Sequence, residues 1–512
     1  MPGSVLAGDL SVLEKKGQQI YFTGESPSGR PIEAFFGAAR VPISGSLAVC
    51  SSCHGYDGLG RPESGIDPTN ITWNHLTKSY GHIHNGTKHP PFSETSLRKF
   101  LLEGTYPGGK SASPDMPLYL MAEEDLAALV AFLKKLGTLR DPGLDEDVIR
   151  IGTILPSAEP MAGKADLAEK ALRNSFGQVN RSGGIFGRQI ELSVYRFGYG
   201  QDSIAGLRAW LSENNLFALV SPFVPGYEVH FQEVVALLDI PVVGPFTLYP
   251  PLGFRENRQT FSLQPGVYSQ MLALQVYVAK SKLVSAPKVA MLYQASDENK
   301  KVFEGLEEQW RVTPWKLLFN EALPSSPEKL DERLYQLKRE GVEVVVYAGL
   351  ADQLKYLMNY MARVKWSPLV LAPGSLAGDV LLSGPKEVAN RLILAYPSLA
   401  RDRRPEALAE LNRFIGGAGG DLANIQALVS AYVSMKLTAE VLRQCGRDLD
   451  RRKFIAALEK TYKYDSELMP PITFTRNRRV GTDGIYVVRR SSIGPGEEPD
   501  IQADWFVSEM RN

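Results

Sequence analysis

"AVCSSCHGYDGLG", residues 48–60, holds two of the chain's three cysteines and one of its six histidines. Cys50, Cys53 and His54 form Cys-x-x-Cys-His. At these abundances roughly 2 × 10⁻⁴ accidental matches are expected in a chain of this length, so the spacing carries information. Two thiols three residues apart can bond covalently to the vinyl groups of a haem, and the adjacent imidazole can ligate its iron. The motif predicts one covalently bound haem c, attached through Cys50 and Cys53, with His54 on the iron.

The rest of the composition is that of an ordinary globular protein. The 512 residues are 44% hydrophobic and 22% charged, and at about 150 residues per domain they allow two to four domains. Lys+Arg and Asp+Glu both number 57, so no global field favours nucleic acid or an anionic membrane. No apolar run approaches the roughly 18 residues that a membrane helix needs. The N-terminal "MPGSVLAGDL" has neither a basic start nor a long apolar core, so no secretory leader is visible. Haem is attached to such motifs outside the cytoplasm, and the expectation is a periplasmic, mature form whose leader has been removed. The third cysteine, Cys445 in "VLRQCGRDL", reads as a small apolar residue on a helix.

A haem held by one histidine needs an opposite ligand, and "GGKSASPDMPLYL" (108–120) offers Met116. A thioether favours ferrous iron, so a His/Met pair gives a higher potential than two imidazoles. Helical periodicity surrounds this frame. "SVLEKKGQQIYF" places Leu13, Gly17, Ile20 and Tyr21 on one stripe, and "EEDLAALVAFLKKLG" places Leu126, Leu129, Val130 and Leu133 on another. "SETSLRKFLLEG" adds a short helix facing inward through Leu97, Phe100 and Leu101. The order of these features resembles the monohaem class I c-type cytochromes over about residues 10 to 138. It runs from a helix with Gly17 and Tyr21, through Cys-x-x-Cys-His-Gly and Met116-Pro117, to "LVAFLKKL". The resemblance implies a small all-α domain over 1–140 whose first and last helices cross at the glycine. It also implies Cys50 and Cys53 as attachment points, His54 as proximal ligand and Met116 as distal ligand. "NHLTKSYGHIHNGTKH" adds His75, His82, His84 and His89. With no Cys or carboxylate to complete a metal site, these read as a solvated loop between haem-binding segments, with a propionate contact open to one of them.

"RDPGLDEDV" then separates two composition regimes, and 141–148 reads as a linker. Beyond it β-branched runs alternate with amphipathic helices: "VIRIGTIL" with "KADLAEKALRNSF", "QIELSVYRF" with "SIAGLRAWLSE", and later "VEVVVYAGL" with "DQLKYLMNYMARV". This alternation predicts parallel sheets covered on both faces, and residues 149–495 suit two such lobes, with 496–512 as a tail. No Gly-x-Gly-x-x-Gly follows the first strand and no phosphate-binding Gly-Lys-Ser/Thr loop occurs, so nucleotide binding lacks its physical basis. The region resembles the type I periplasmic solute-binding proteins, in the branch that binds branched-chain amino acids and amides. The match runs from "IRIGTILP" through "NRSGGIFGRQIEL" and "DIPVVGPFT" to "ITFTRNRRVGTDGIYVV". It implies two α/β lobes that close on a ligand, and strand carboxyl ends are where open sheets bind.

The ligand-binding segments depart from the amino-acid pattern. In place of a serine-rich turn stand Pro222, Phe223, Pro225 and Gly226, with only Ser221; after "IPVVGP" come Phe246, Thr247, Leu248 and Tyr249. Gly374 stands where an acidic residue would hold a ligand ammonium. Ser221, Phe223, Tyr227, Phe246, Thr247, Tyr249, Tyr268 and Tyr347 therefore predict an apolar or aromatic ligand rather than an amino acid. Taken together, the expectation is a multidomain periplasmic c-type cytochrome that transfers one electron and carries a fused solute-binding module. Its redox partner would be a periplasmic dehydrogenase or terminal cytochrome. The alternative is a transport-associated solute-binding protein, working with an ABC permease, in which the haem is an accessory or redox sensor. An enzyme acting at the haem is not expected, because Met116 would close the iron's open position.

Overall fold

Ser11 and Glu14 close a capping box that starts α1 (Val12–Thr23), and Gly24 ends it in a left-handed conformation at φ 67°. The structure, a computed structural model, describes residues 10–507 except 56, 61–67, 85–86, 139, 159–160, 199–202, 252–257, 325, 378–379, 381–383, 417–424 and 490–499. The chain divides into two units, Met1–Pro142 and Gly143–Asn512.

In the first unit α1 packs on α5 (Glu123–Lys135). Their crossing is set by Gly17, where an added Cβ would lie 1.9 Å from the Ala128 carbonyl oxygen and 2.8 Å from Phe132 Cβ. Ile20 and Tyr21 beside it are buried, with the Tyr21 ring 5.4 Å from that of Phe132, whereas Leu13, on the same predicted stripe, is exposed. α5 begins with three acids and ends with two lysines, complementing its dipole. Between these helices lie α2 (Cys50–His54), α3 (Trp73–Leu76) and α4 (Glu94–Glu103), whose cap is Ser93. The helical unit also carries a small antiparallel sheet that the sequence reading did not anticipate. It joins β1 (Glu33–Phe36), β2 (Val41–Ser44) and β5 (Leu118–Leu120) in the order β2-β1-β5. A hairpin of β3 (His82–His84) and β4 (Thr87–His89) sets His82 directly across from His89. Strands of three or four residues are too short to show an alternation in sequence.

The second unit holds two sheets. The first lobe's sheet is parallel throughout, in the order β10-β9-β8-β6-β7. Its strands are β6 (Val148–Pro156), β7 (Gln189–Phe197), β8 (Ala218–Val220), β9 (Val242–Val243) and β10 (Thr260–Phe261). They alternate with α6 (Ala162–Arg181), α7 (Ser203–Glu213) and α8 (Glu228–Leu238). The second lobe's sheet has the order β12-β11-β13-β14-β15-β16-β17, parallel up to β15 and antiparallel over its last two strands. It comprises β11 (Lys288–Tyr293), β12 (Lys316–Ala322), β13 (Val344–Ala348), β14 (Leu369–Pro373), β15 (Leu392–Tyr396), β16 (Gly484–Arg489) and β17 (Asp500–Val507). Helices α9 (Val267–Lys280), α10 (Asp297–Trp310), α11 (Pro327–Arg339) and α12 (Ala351–Arg363) cover it. β13 and β14 are buried along their whole length, which is why they read as unbroken apolar runs. After β15 the chain returns to the first lobe with helices Pro405–Ile415, Ile425–Cys445 and Arg451–Leu458. Cys445, the last residue of the second of these, packs against that lobe's core, and burial pushes its thiol up to about 11. Two of the crossings between lobes run side by side: Ser262 N donates to Arg479 O and Gly481 N to Ser262 O, both at 2.8 Å.

Two stretches expected outside the domains take part in this unit. Gly143 and Leu144, within the expected linker, pack on it: a Cβ on Gly143 would meet Phe217 N at 2.2 Å, and Leu144 is in the first lobe's core. Residues 500–507, expected in a tail, form β17 on the edge of the second sheet, a short strand hidden in sequence by the acidic "GEEPD" before it. Among the described residues no helix is long and apolar enough to cross a membrane.

One buried cation locks the first lobe. The Arg451 guanidinium, 2% exposed, donates to the carbonyl oxygens of Leu216, Phe217, Leu238 and Asp239 at 2.6–3.3 Å. Arg451→Met keeps the aliphatic bulk and strips these acceptors of a donor. A cost of about 3 kcal/mol is expected from stranding several buried carbonyls, read as a lower urea midpoint with an unchanged m-value.

Candidate functional site

The three motif residues occupy a single helix of five residues, α2. Positions i, i+3 and i+4 of a helix share one face, so Cys50, Cys53 and His54 are presented together. Both flanks are tied down. Tyr21 donates its hydroxyl to Gly55 O at 2.5 Å, joining α1 to the end of α2, and Tyr119 on β5 donates to Ala48 O at 2.8 Å before its start. His54 is buried, and its Nδ1 lies 2.9 Å from Thr69 O. A hydrogen bond to that carbonyl fixes the proton on Nδ1 and leaves Nε2 as the basic nitrogen, the form in which an imidazole can ligate a metal.

Cys50, Cys53, His54 and Met116 all line one cavity of about 400 Å³. Leu97, Leu101, Leu129 and Leu133 supply apolar wall, and the volume falls within the range of roughly 300–1,000 Å³ usual for cofactor sites. Burial pushes the Cys50 thiol up to about 11, so the free side chain is a neutral thiol. Two thiols at thioether spacing, an oriented imidazole and a thioether around one apolar space are a donor set that fits a haem. A haem bound there supplies one-electron exchange.

His75, His82 and His89, expected in a solvated loop, line the same cavity. Their rings form a row, each tilted 35° from the next, with centroids 4.4 Å (His75–His82) and 5.3 Å (His82–His89) apart, and Tyr106 stacks on His89 at 4.6 Å. Burial and the charge of the neighbouring imidazole hold His75 and His82 below the usual histidine range, so both are neutral near pH 7. His82 Nε2 is buried without a hydrogen-bond partner among the described residues. Sequence spacing could not show this: it is β3–β4 pairing that brings His82 to His89. The side chain of His84 lies outside the described residues.

In the second unit the loops after β8 and β9 gather most of the predicted ligand-binding residues. Ser221 leaves β8 in the left-handed region at φ 50° and donates its amide to Val243 O. Phe223 and Phe246 meet edge to face with centroids 4.9 Å apart. Tyr227 precedes α8 and packs on Phe197 at 5.0 Å. Thr247 donates its hydroxyl to Glu228 Oε1 at 3.2 Å and receives the Tyr249 amide at 2.9 Å. The Tyr249 hydroxyl reaches Asn299 Oδ1, on the second lobe's α10, at 2.8 Å, so this is where the lobes meet.

Two predicted residues lie elsewhere. Tyr268 packs on α10, where a Cβ on Gly305 would be 3.2 Å from its ring. Tyr347 is 1% exposed in the second lobe's core and donates to Leu350 O at 2.7 Å, because β13 is buried on both faces. At Gly374 a Cβ would come within 2.2–2.5 Å of the Tyr396 ring, so the ring fills the place beside the backbone. Three polar residues at the lobe junction were not singled out from sequence: Glu228, Glu298 and Asn299, all buried. The glutamates open α8 and α10, where an acid ordinarily serves the helix dipole in solvent.

Comparison with known families agrees with this architecture. The cytochrome c family matches residues 45–137 and the periplasmic binding protein family residues 148–494. No curated protein sequence matches the chain. Among solved structures the chain is similar to a fatty acid ABC transporter substrate-binding protein from Thermomonospora curvata, at 17% identity and a TM-score of 0.57, over 72% of this chain and 95% of that one. It is similar also to a branched chain amino acid ABC transporter protein from Thermus thermophilus with bound valine, at 14% identity and a TM-score of 0.57, over 71% and 98%. A substrate-binding protein from Aeropyrum pernix gives 12% identity and a TM-score of 0.57, over 71% and 97%. At such identities the likeness is one of fold. A cytochrome c domain implies covalently bound haem c, and both families are typically periplasmic. The chain belongs to the type I periplasmic binding protein family and carries a cytochrome c domain ahead of its binding domain.

Proposed function

We propose that this chain is a periplasmic c-type cytochrome with one haem, in which electron transfer is joined to recognition of a small apolar or aromatic ligand that is not an amino acid. The observation that carries it is the convergence of Cys50, Cys53, His54 and Met116 on one apolar cavity. In this reading Cys50 and Cys53 form the two thioether bonds, His54 is the proximal ligand and Met116 the distal one. With His54 and Met116 both holding it, a bound haem would supply one-electron exchange with a redox partner such as a dehydrogenase or terminal cytochrome, and these two side chains would keep substrate from its iron. Ser221, Phe223, Phe246, Thr247 and Tyr249 form the ligand site between the lobes. The edge-to-face pair Phe223–Phe246 supports an apolar or aromatic ligand.

The spectrum of the ferric protein tests the axial pair. A weak sulfur-to-iron charge-transfer band in the near infrared is expected. Met116→Ala should abolish it and lower the potential by on the order of 100 mV, since a thioether stabilises the ferrous state and 59 mV is a tenfold preference. A wild-type spectrum typical of two imidazoles would transfer the distal role to His75, His82 or His89, which line the same cavity. The second reading, a transport protein with an accessory haem, draws on the solved relatives, which are ABC substrate-binding proteins. Stable association with an ABC permease, and none with a redox enzyme, would favour it.

A further inference from the structure

The junction between the lobes contains a carboxyl group with one oxygen that no described residue satisfies. Glu228 is 7% exposed; its Oε1 accepts the Thr247 hydroxyl, and its Oε2 is buried with no hydrogen-bond partner among the described residues. Burying a carboxylate oxygen unpaired is costly and calls for a reason. From the opposite lobe Glu298, also 7% exposed, acts on it by charge. Burial first and that charge second push Glu228 up to about 7, against the lowering effect of the Gly226 and Glu228 amides and of Thr247. Among the described residues no cation acts on Glu228. Tyr249 stands in the field of both glutamates, while its hydroxyl is committed to Asn299 Oδ1 and the Asn299 amide to Gln294 O. The described local groups are thus paired with one another, and among them Glu228 Oε2 is left over.

We infer that Glu228 and Glu298 form the polar end of the ligand site and that the ligand is an organic amine, whose ammonium donates to Glu228 Oε2 within the field of Glu298. This rests on the reading of the site as one for an apolar or aromatic body, and adds the group that body must carry. A hydroxyl could satisfy Oε2 but would leave two like charges facing each other across the lobes. An ammonium brings three donors and the compensating charge. The aromatic faces of Phe223, Phe246 and Tyr249 add a favourable setting for a cation. The same pair rejects a zwitterion, because a ligand carboxylate beside two glutamates meets like charge at low dielectric. The acid expected at Gly374 is therefore not simply lost: acidic character enters from the starts of α8 and α10.

Three probes of one skeleton test this on the full haem-loaded chain by calorimetry and thermal shift: 2-phenylethylamine, 2-phenylethanol and phenylalanine. The amine should bind at least tenfold more tightly than the alcohol, and phenylalanine should show no saturable binding. Glu228→Gln preserves shape and the Thr247 contact. It should weaken the amine at least tenfold while the unliganded variant melts at or above the wild-type temperature, because an unpaired buried carboxyl has been neutralised. Alcohol binding as tight as the amine would overturn the ammonium assignment and leave the apolar–aromatic reading standing. Binding of phenylalanine alone would overturn that reading too, as would binding of none of the three. A Glu228→Gln variant that melts lower yet binds the amine like wild type would reduce Glu228 to a structural residue.

Discussion

Replacing Cys50 and Cys53 together by alanine is expected to give a protein whose haem comes away completely in acidified acetone. Only thioether bonds survive that treatment; the proposed coordination by His54 and Met116 would be reversible and would not. The single variants should each retain haem through the remaining sulfur. The larger consequence is for stability. The site is an apolar space of about 400 Å³ in a unit ending at Pro142. At about 24 cal/mol per Å³, leaving it unfilled corresponds to about 10 kcal/mol. Whole domains are stable by about 5–15 kcal/mol. Haem loss should therefore unfold most of the first unit, visible as lost helical circular dichroism and rapid proteolysis before residue 142, while the second unit remains folded. If wild-type haem is extracted quantitatively, Cys50 and Cys53 do not attach it.

Gly17→Ala is expected to be the most damaging conservative change in the first unit. In an exposed helix this substitution would stabilise by about 0.5–1 kcal/mol through helix propensity. Here the new Cβ lies 1.9 Å from the backbone oxygen of Ala128, which is held in α5 and cannot rotate away as a side chain could. The two helices must separate, and the contact of Tyr21 with Phe132 and the Tyr21–Gly55 hydrogen bond that steadies α2 go with them. Overpacking of this kind typically costs about 1–3 kcal/mol, so the net change should be a loss of about 2 kcal/mol. A lower melting temperature of the first transition in calorimetry, with the second transition unmoved, is the expected result; an unchanged first transition would show that the helices tolerate the shift.

How much of this was legible in sequence depended on how far apart the participating residues lie along the chain. Cys50, Cys53 and His54 sit on one helical turn, so their spacing is their geometry. Gly17 and Tyr21 are also one turn apart, and their partners on α5 had their own apolar period. The β-branched runs of β6, β13 and β14 gave the parallel sheets directly. Tyr347 was misplaced for the same reason: both faces of β13 are buried, so an aromatic at its end looks the same whether it faces a core or a ligand. The row of His75, His82 and His89 was not legible, because its geometry comes from strands of three residues. Glu228 and Glu298 lie 70 residues apart on different lobes, and each, taken alone, resembles an ordinary acid at a helix start. Their burial is a property of the assembled lobes only.

The contact of Gly374 with Tyr396 limits which substitutions position 374 can accept. Suppose an acid were placed at position 374. Its Cβ would enter the Tyr396 ring at 2.2 Å, and in a close-packed setting neither β14 nor β15, which pair through Ala372 and Leu394, can yield. Shrinking Tyr396 first would instead leave a void the size of a ring beside a bare backbone. Each change alone is harmful, and only the two together restore packing, which is the signature of strong non-additivity between neighbours. An acid at position 374 thus lies two coordinated substitutions away, and acidic character at the lobe junction comes from the starts of α8 and α10.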